Sequence, residues 1–544
     1  MTTPLHRTMK AGTQQHATRH IWLFLIVALL VLSACAPAAA PAAPAESGAA
    51  ESAPAAAAGG VLRIGLDVDA GTGDPRLSSD TSALRLRELV YNGLVKIEPD
   101  FSPAPALAES WENPDDTTWV FNLRPDVTFQ NGDPFTADDV KFTFDTILDP
   151  DFASPSRSFY TPITNIEVVD PLTVKFTLDQ PYGPFLSYMN MPIVPKAAFE
   201  ADPEGFATNP IGTGPFKLVD WKRGDSMRLE ANPTYWDGAP LLSGIEMRVV
   251  PDNSARVVAL ESGDLDLVQS PMSPQDVKRL EGEDGIVLNR TPAAGYTYIN
   301  LNCADEMISD VRVRQALSHL VNRQEILDSI YAGIGQLANG PVPPGMWAFS
   351  PDLPSYAYDP EAARALLDEA GWILDDSGRR MKDGKQLSIV VRTHSEDPDR
   401  RQVTEVLQAT LAAEGIDATT NIVDWPTFFA DVQAGSYQMA IVGWLNLNNP
   451  DAAFFRQFSD GGAANYGKCI DPELDALIKQ ARATLDQTAA KELYTQAAKL
   501  VVDNAFYIFL QYQEYISAHS DKVQGFVVNP VQNFNSMSKV SLSQ

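Results

Sequence analysis

Along most of the chain, apolar residues recur in two rhythms that take turns. Short β-rich runs predict strands at 61–66 (VLRIGL), 117–123 (TTWVFNL), 296–301 (YTYINL), 387–391 (LSIVV), 419–423 (TTNIV) and 438–444 (QMAIVGW). A further pair is expected at 166–170 and 172–178, separated by Pro171. Between these runs the spacing becomes helical. A helix is expected over 80–94, opened by Asp80 and closed near Asn92-Gly93, and another after the capping box Thr136 to Asp139, running through Phe144. Asp310 can cap a helix carrying Val311, Leu317 and Leu320. Asp359-Pro360-Glu361 starts one with Ala363, Leu366, Leu367 and Ala370 on one face and Gly371 as its stop, and residues 398–414 form one closed by Gly415. Alternation of this kind is the pattern of α/β lobes. The second lobe is read from about 296 to 522, and no internal repeat is visible.

The first sixty residues do not share the rhythm. Residues 21–32 (IWLFLIVALLVL) are all apolar and follow Arg7, Lys10, Arg19 and His20, with no acid among them. That is the form of a bacterial export signal, and it is shorter than the roughly 20 apolar residues of a membrane-spanning helix. Leu32-Ser33-Ala34-Cys35 resembles a lipobox, so residues 1–34 are expected to be removed and Cys35 to carry lipid. Residues 36–60 hold four prolines, fourteen alanines and two charges, Glu46 and Glu51, before Gly59-Gly60. They offer nothing to pack and read, with Cys35, as a tether at about 3.1 Å per residue when extended. Two acyl chains and a covalent bond make a stable anchor where one chain alone is marginal.

Length and charge narrow the remainder. A chain of 544 residues exceeds what one hydrophobic core supports, so at least two lobes are expected. Its formal net charge is −29, and residues 1–34 take three basic groups and no acid with them, so the body is more acidic still. Nucleic acid is excluded as a partner, because affinity for it comes mostly from Lys and Arg on phosphates. Cys303 and Cys469 can pair outside the cytoplasm, but they sit in neither a CxxC nor a metal-ligand spacing. Two unpaired buried thiols is the preferred expectation.

The sequence offers little for catalysis. After Cys35 the histidines are His319, His394 and His519, each in a different segment, and no HExxH, GxSxG, P-loop or GxGxxG occurs. The string 211–215 (IGTGP) lacks the terminal lysine and the hydroxyl residue after it that a phosphate cradle needs, and the acidic runs lack calcium-loop periodicity. No enzyme, metal or cofactor is expected. Recognition chemistry is better represented. Trp347, Trp425 and Trp444 fall at expected strand ends or loops beside Asn and Gly, where a large rigid face with one donor suits stacking on a ligand. Trp444 stands out because Asn446, Asn448 and Asn449 follow it.

Residues 107–111 (LAESW) and 121–145 (FNLRPDVTFQNGDPFTADDVKFTFD) resemble the signature of the bacterial extracellular solute-binding proteins of family 5, the oligopeptide, dipeptide and nickel type. The resemblance continues through 209–221 (NPIGTGPFKLVDW), 232–240 (NPTYWDGAP), 259–268 (ALESGDLDLV), 310–327 (DVRVRQALSHLVNRQEIL) and 340–347 (GPVPPGMW), over nearly all of 61–530. It implies an α/β, two-lobed periplasmic-binding-protein-like fold with a hinged cleft. Lobe 1 would be 61–295, with an extra subdomain at about 95–208 and a return of the chain at 523–544. Lobe 2 would be 296–522, with strands near Tyr298 and Val523 crossing between the two.

It also implies a function: a monomeric receptor, lipid-anchored and facing a periplasm or the outside, that closes on a small solute and delivers it to the permease of an ABC importer. A ligand sensor or chaperone using the same clamp is the second class. The implied ligand site takes in Tyr296, Tyr298, Trp347, Trp425, Trp444, Asn446, Asn448, Asn449 and Asp451, with Asp74 at the cleft edge and Thr213 between Gly212 and Gly214. Peptide is the family default. Peptide binders carry an aspartate after the Gly-Trp pair that can meet the peptide's amino group. Here 443–450 reads GWLNLNNP, with no acid before Pro450 and Asp451 just after it. A buried ammonium without a partner would cost several kcal/mol, so the Asn-rich segment suits a neutral oligosaccharide as the alternative.

Overall fold

A computed structural model describes residues 59–78, 80–269 and 272–543. The export signal, Cys35 and all but the last two residues of the tether lie outside the described residues. The largest sheet is mixed. Its strands run in the order Asp417–Val423, Ser388–His394, Met439–Trp444, Ile286–Leu301, Tyr507–Ser520, Leu267–Val268, Val61–Leu66, Gly244–Val249, Ser226–Ala231 and Phe216–Lys222, with Gln336–Leu337 added on Tyr507–Ser520.

Ile286–Leu301 and Tyr507–Ser520 are antiparallel partners along nearly their whole length and hold the architecture together. Residues 286–292 pair with 514–520, whose end also pairs with Leu267–Val268 and so leads on to Val61–Leu66. Residues 296–301 pair instead with Met439–Trp444 on one side and with 507–512 on the other. One pair of strands therefore serves two groups of strands, one at each end. The second long strand is Tyr507–Ser520 and not the segment at Val523, where only Val523–Gln524 pairs with Ser541–Leu542. The first begins ten residues before Tyr296.

The register shifts between Pro292 and Tyr296, where the proline has no N–H to give and the ladder breaks. The loosened backbone groups find other partners. Ala294 N–H donates to the Pro530 carbonyl (2.8 Å), and the Ala294 carbonyl accepts from Leu447 N–H (2.8 Å). This break brings segment 444–449 and segment 529–531 to the same place.

The expected helix signals act locally as their chemistry requires. The Asp80 carboxylate accepts from Ala83 N–H at 2.7 Å to start Thr81–Val90, and Asp359 accepts from the N–H groups of Glu361 and Ala362 to start Pro360–Glu369. Ala363, Leu367 and Ala370 are buried, and Gly371 takes φ +88°, open to glycine without strain. A separate antiparallel sheet of Ala108–Asp115, Thr118–Leu123, Thr173–Leu178 and Ile163–Asp170 carries helix Ala137–Leu148 and lies within the stretch read as the extra subdomain.

Leu62, Ile64, Leu86 and Met247 form one core together with Phe526, Phe534 and Val540 from the C-terminal stretch. Ile299, Leu317, Leu367, Val391 and Ile441 form another. A third runs from Phe121, Phe144 and Phe176 to Tyr296, Phe454 and Tyr494.

Cys303 and Cys469 form a disulfide, with Cα atoms 5.1 Å apart, and the expectation of two free thiols is corrected. Their separation of 166 residues hides the proximity. Cys303 lies two residues after the end of strand Ile286–Leu301, and its N–H donates to the Gly467 carbonyl at 2.7 Å. A Cβ at Gly467 would meet the Leu301 carbonyl oxygen at 2.5 Å, so only glycine lets that loop lie on the strand.

Candidate functional site

Strand Met439–Trp444 ends at the break in the crossing pair, with Trp444 opposite Tyr296. A Cβ at Gly295 would sit 2.1 Å from the Trp444 carbonyl oxygen, so the glycine permits this approach. Trp444 is half-buried against the third core, with its indole nitrogen buried beside the Tyr298 hydroxyl. Tyr296 and Tyr298 are interior residues. The Tyr296 hydroxyl donates to Gln457 Oε1 (2.7 Å), and Tyr298 stacks on Tyr507 with centroids 4.1 Å apart. They support Trp444 from beneath.

The residues after Trp444 divide between two duties. Asn446 adopts φ +58°, a left-handed turn that asparagine tolerates, and accepts from the Tyr515 hydroxyl at 3.3 Å. Asn449 caps helix Pro450–Phe458 by accepting from Ala452 N–H (2.9 Å) and donates to Asn448 Oδ1 (3.0 Å). Asp451, 2% exposed, faces Arg482 at 3.5 Å and accepts from the Tyr188 hydroxyl at 3.3 Å. Arg482 lies over the Phe455 ring at 3.6 Å and that of Tyr182 at 4.8 Å. Burial pushes the Asp451 carboxyl up to about 6, against the pull of Arg482 and the Tyr188 hydroxyl.

The other candidates lie elsewhere. Trp425 is 43% exposed, stacked on Phe429 at 5.4 Å and edge-on to His394 at 5.0 Å. Trp347 is half-buried, edge-on to Tyr494. Asp74 is 2% exposed and held in a bidentate pair with Arg76 (2.7 and 3.0 Å), whose guanidinium lies over Phe199. Thr213 is buried and donates to Asn92 Oδ1 at 3.0 Å, a second-hand role in the site described next. Gly212 and Gly214 are needed around it because a Cβ at either would strike the backbone at the end of helix Thr81–Val90.

A cavity of about 390 Å³ adjoins segment 444–449 and is lined by Asn446 and Asn448 from it. Its other walls come from helix Thr81–Val90, segments 91–99, 190–192, 235–237 and 527–538, and Arg124. Five more asparagines face it: Asn92, Asn190, Asn529, Asn533 and Asn535. Asn92 organises the aromatic wall by accepting from Trp236 Nε1 (2.9 Å) and donating to the Tyr235 hydroxyl (3.2 Å). Sequence reasoning missed these residues. Tyr235 and Trp236 lie in a stretch whose spacing gave only a resemblance, and the asparagine-dense string NPVQNFN (529–535) was the signal available.

The sequence model of the bacterial extracellular solute-binding proteins, family 5 (middle), matches residues 102–466. The dipeptide-binding protein of Escherichia coli K12 is 30% identical over 477 residues, covering 81% of this chain and 87% of that protein. The oligopeptide-binding protein AppA from Bacillus subtilis, solved in complex with a nonapeptide, matches with a TM-score of 0.78 at 27% identity, over 89% of this chain and 99% of that one. MoaA from A. tumefaciens R10, solved in complex with mannopinic acid, matches with a TM-score of 0.74 at 28% identity, over 90% and 100%. With this family model spanning well over half of the sequence and the two-lobed fold shared along its length, the chain belongs to the bacterial extracellular solute-binding proteins of family 5.

Proposed function

We propose that this protein is the lipid-anchored, extracytoplasmic receptor of an ABC importer. It captures a small organic solute between its lobes, a short peptide in the first instance, and passes it unchanged to a permease. The observation that carries this reading is the crossing pair Ile286–Leu301 and Tyr507–Ser520, interrupted at Pro292 where segment 444–449 emerges. Two groups of strands joined through two strands can rotate about the interruption, and a ligand that touches both stabilises the closed form. The peptide assignment is supported by the names of the dipeptide- and oligopeptide-binding relatives. The export signal and the Cys35 lipobox support an anchor facing a periplasm or the outside, and the Ala/Pro-rich tether gives the receptor reach.

One observation favours a neutral solute instead. Asp451, the acid nearest Trp444 in sequence on its C-terminal side, already faces Arg482 and Tyr188 and is not free to receive an ammonium. The test of the receptor reading is small-angle scattering on the full chain in detergent, with and without a saturating solute. A smaller radius of gyration with solute is expected, and identical curves in the presence of a bound solute would overturn closure.

A further inference from the structure

We propose that the 390 Å³ cavity beside segment 444–449 binds a neutral, polyhydroxylated solute, a saccharide of two or three units. This rests on the receptor reading above and names the ligand class and residues of its site. The volume falls within the range of small-molecule pockets. Carboxamides are the commonest polar groups in its lining: seven asparagines, with Ser536 and Ser538, beside six charged residues. A carboxamide carries donors and an acceptor without charge, and a sugar hydroxyl is likewise both, so the two classes satisfy each other.

The acids on the walls each have a basic partner, while Arg124 is held by a carbonyl and a ring. Arg87 pairs with Glu88 at 3.2 Å, Lys96 with Glu98 at 2.8 Å, and Asp237 with Lys539 at 3.7 Å. Arg124 donates to the Ala106 carbonyl at 2.7 Å and lies over the Trp236 ring at 4.8 Å. A zwitterionic peptide entering here would find no unpaired acid for its amino group without breaking such a pair, whereas a neutral solute leaves them intact.

The aromatic wall is fixed before any ligand arrives. Tyr235 and Trp236 have ring centroids 5.4 Å apart, and Asn92 bonds to both. Thr213 in turn donates to Asn92. Rings held this way offer apolar surface, on Trp236 the part that Arg124 does not cover, to a sugar's C–H groups at little ordering cost. Asn446 and Asn448 reach the cavity from the strand group carrying Met439–Trp444, while helix Thr81–Val90 packs in the core of the other group. A solute spanning the cavity therefore touches both.

The test is a thermal-shift panel on the full chain in detergent with neutral saccharides (cellobiose, xylobiose, maltotriose, raffinose) and short peptides (Gly-Leu, trialanine). A ligand at about 100 times its dissociation constant raises the melting temperature by several degrees. A saccharide shift that is lost, with affinity down tenfold or more, in Trp236→Ala and in the Asn533→Ala/Asn535→Ala double variant, but kept in Tyr358→Ala, an exposed residue outside the cavity lining, is the expected result. The double variant alters only partly exposed side chains and serves if Trp236→Ala does not fold. A saccharide shift that survives both variants overturns the proposal. A peptide shift that is lost in Trp444→Ala and kept in Trp236→Ala also overturns it while leaving the receptor reading standing. No shift with any saccharide overturns the saccharide class, and the scattering test then decides the receptor reading separately.

Discussion

Replacing both Cys303 and Cys469 by serine should lower stability more than any single surface change. The bridge closes a loop of 166 residues, and the chain-entropy relation for a loop of that length gives about 5 kcal/mol of constraint on the unfolded chain. Most of strand group Met439–Trp444, Ser388–His394 and Asp417–Val423 lies inside the loop, so the loss falls on one lobe of about 200 residues. For a unit of that size each kcal/mol moves the melting temperature by about 2–4 °C, so the lobe should melt about 10–20 °C lower. Differential scanning calorimetry of the double variant reads this directly, and the unmodified chain with dithiothreitol provides a second route to the same state. A drop below about 2 °C, or two reactive thiols in the denatured but unreduced chain beyond any contributed by Cys35, would refute the argument. The bridge also fixes the end of the strand in which Tyr296 pairs with Trp444. The variant should therefore bind solute more weakly even at temperatures where it is fully folded.

Cys35→Ala should release the protein from membranes into the aqueous phase on detergent partitioning, and unchanged partitioning would remove the lipobox reading. Trp444→Ala should weaken solute binding by about 1–3 kcal/mol in calorimetry, through loss of the ring at the start of segment 444–449. Asp451 gives a pH signature. Its carboxyl titrates near 6 in the fold, against about 4 in the unfolded chain, because burial outweighs Arg482 and the Tyr188 hydroxyl. Between those values the native state holds the extra proton, so stability is greater on the acid side and falls as pH rises toward 6, by on the order of 2–3 kcal/mol. Denaturant titrations at pH 4.5 and 7 should show that fall in the parent chain and a flatter profile in Asp451→Asn; equal slopes would rule out a raised carboxyl.

Local elements were legible because their signals are local. Asp80, Asp359 and Gly371 terminate helices through contacts two or three residues away, and a sequence window contains them. The crossing pair was only half legible. The strand expected at 296–301 is the second part of one 16-residue strand, whose irregularity at 291–295 (TPAAG) is an interruption supplied with partners by Leu447 and Pro530. Those partners lie more than 150 and 230 residues away, and no window reaches them. The disulfide failed for the same reason, since what brings Cys469 to Cys303 is a glycine at 467 whose value shows only when Leu301 lies against it.

Several of the candidate site residues have structural duties of their own. Tryptophans at strand ends suggest an exposed face, but Tyr296 and Tyr298 are interior, Trp444 is half-buried against the same core, and Asn449 and Asp451 are committed to a helix start and an ion pair. A polar residue without an evident local duty can have a distant one. Asn92 shows the converse: it sits where a helix ends, a position that sequence reads as punctuation, yet its carboxamide binds Thr213, Tyr235 and Trp236 from three separate contacts. If recognition depends on that carboxamide, then Asn92→Asp, which keeps the acceptor but replaces the donor with charge, should disturb the aromatic wall more than Thr213→Val does. Thr213→Val removes only one donor to Asn92 Oδ1 and leaves Trp236 Nε1 in place as the other. The order of those two losses in solute affinity separates a wall built around Asn92 from rings that are held by packing alone.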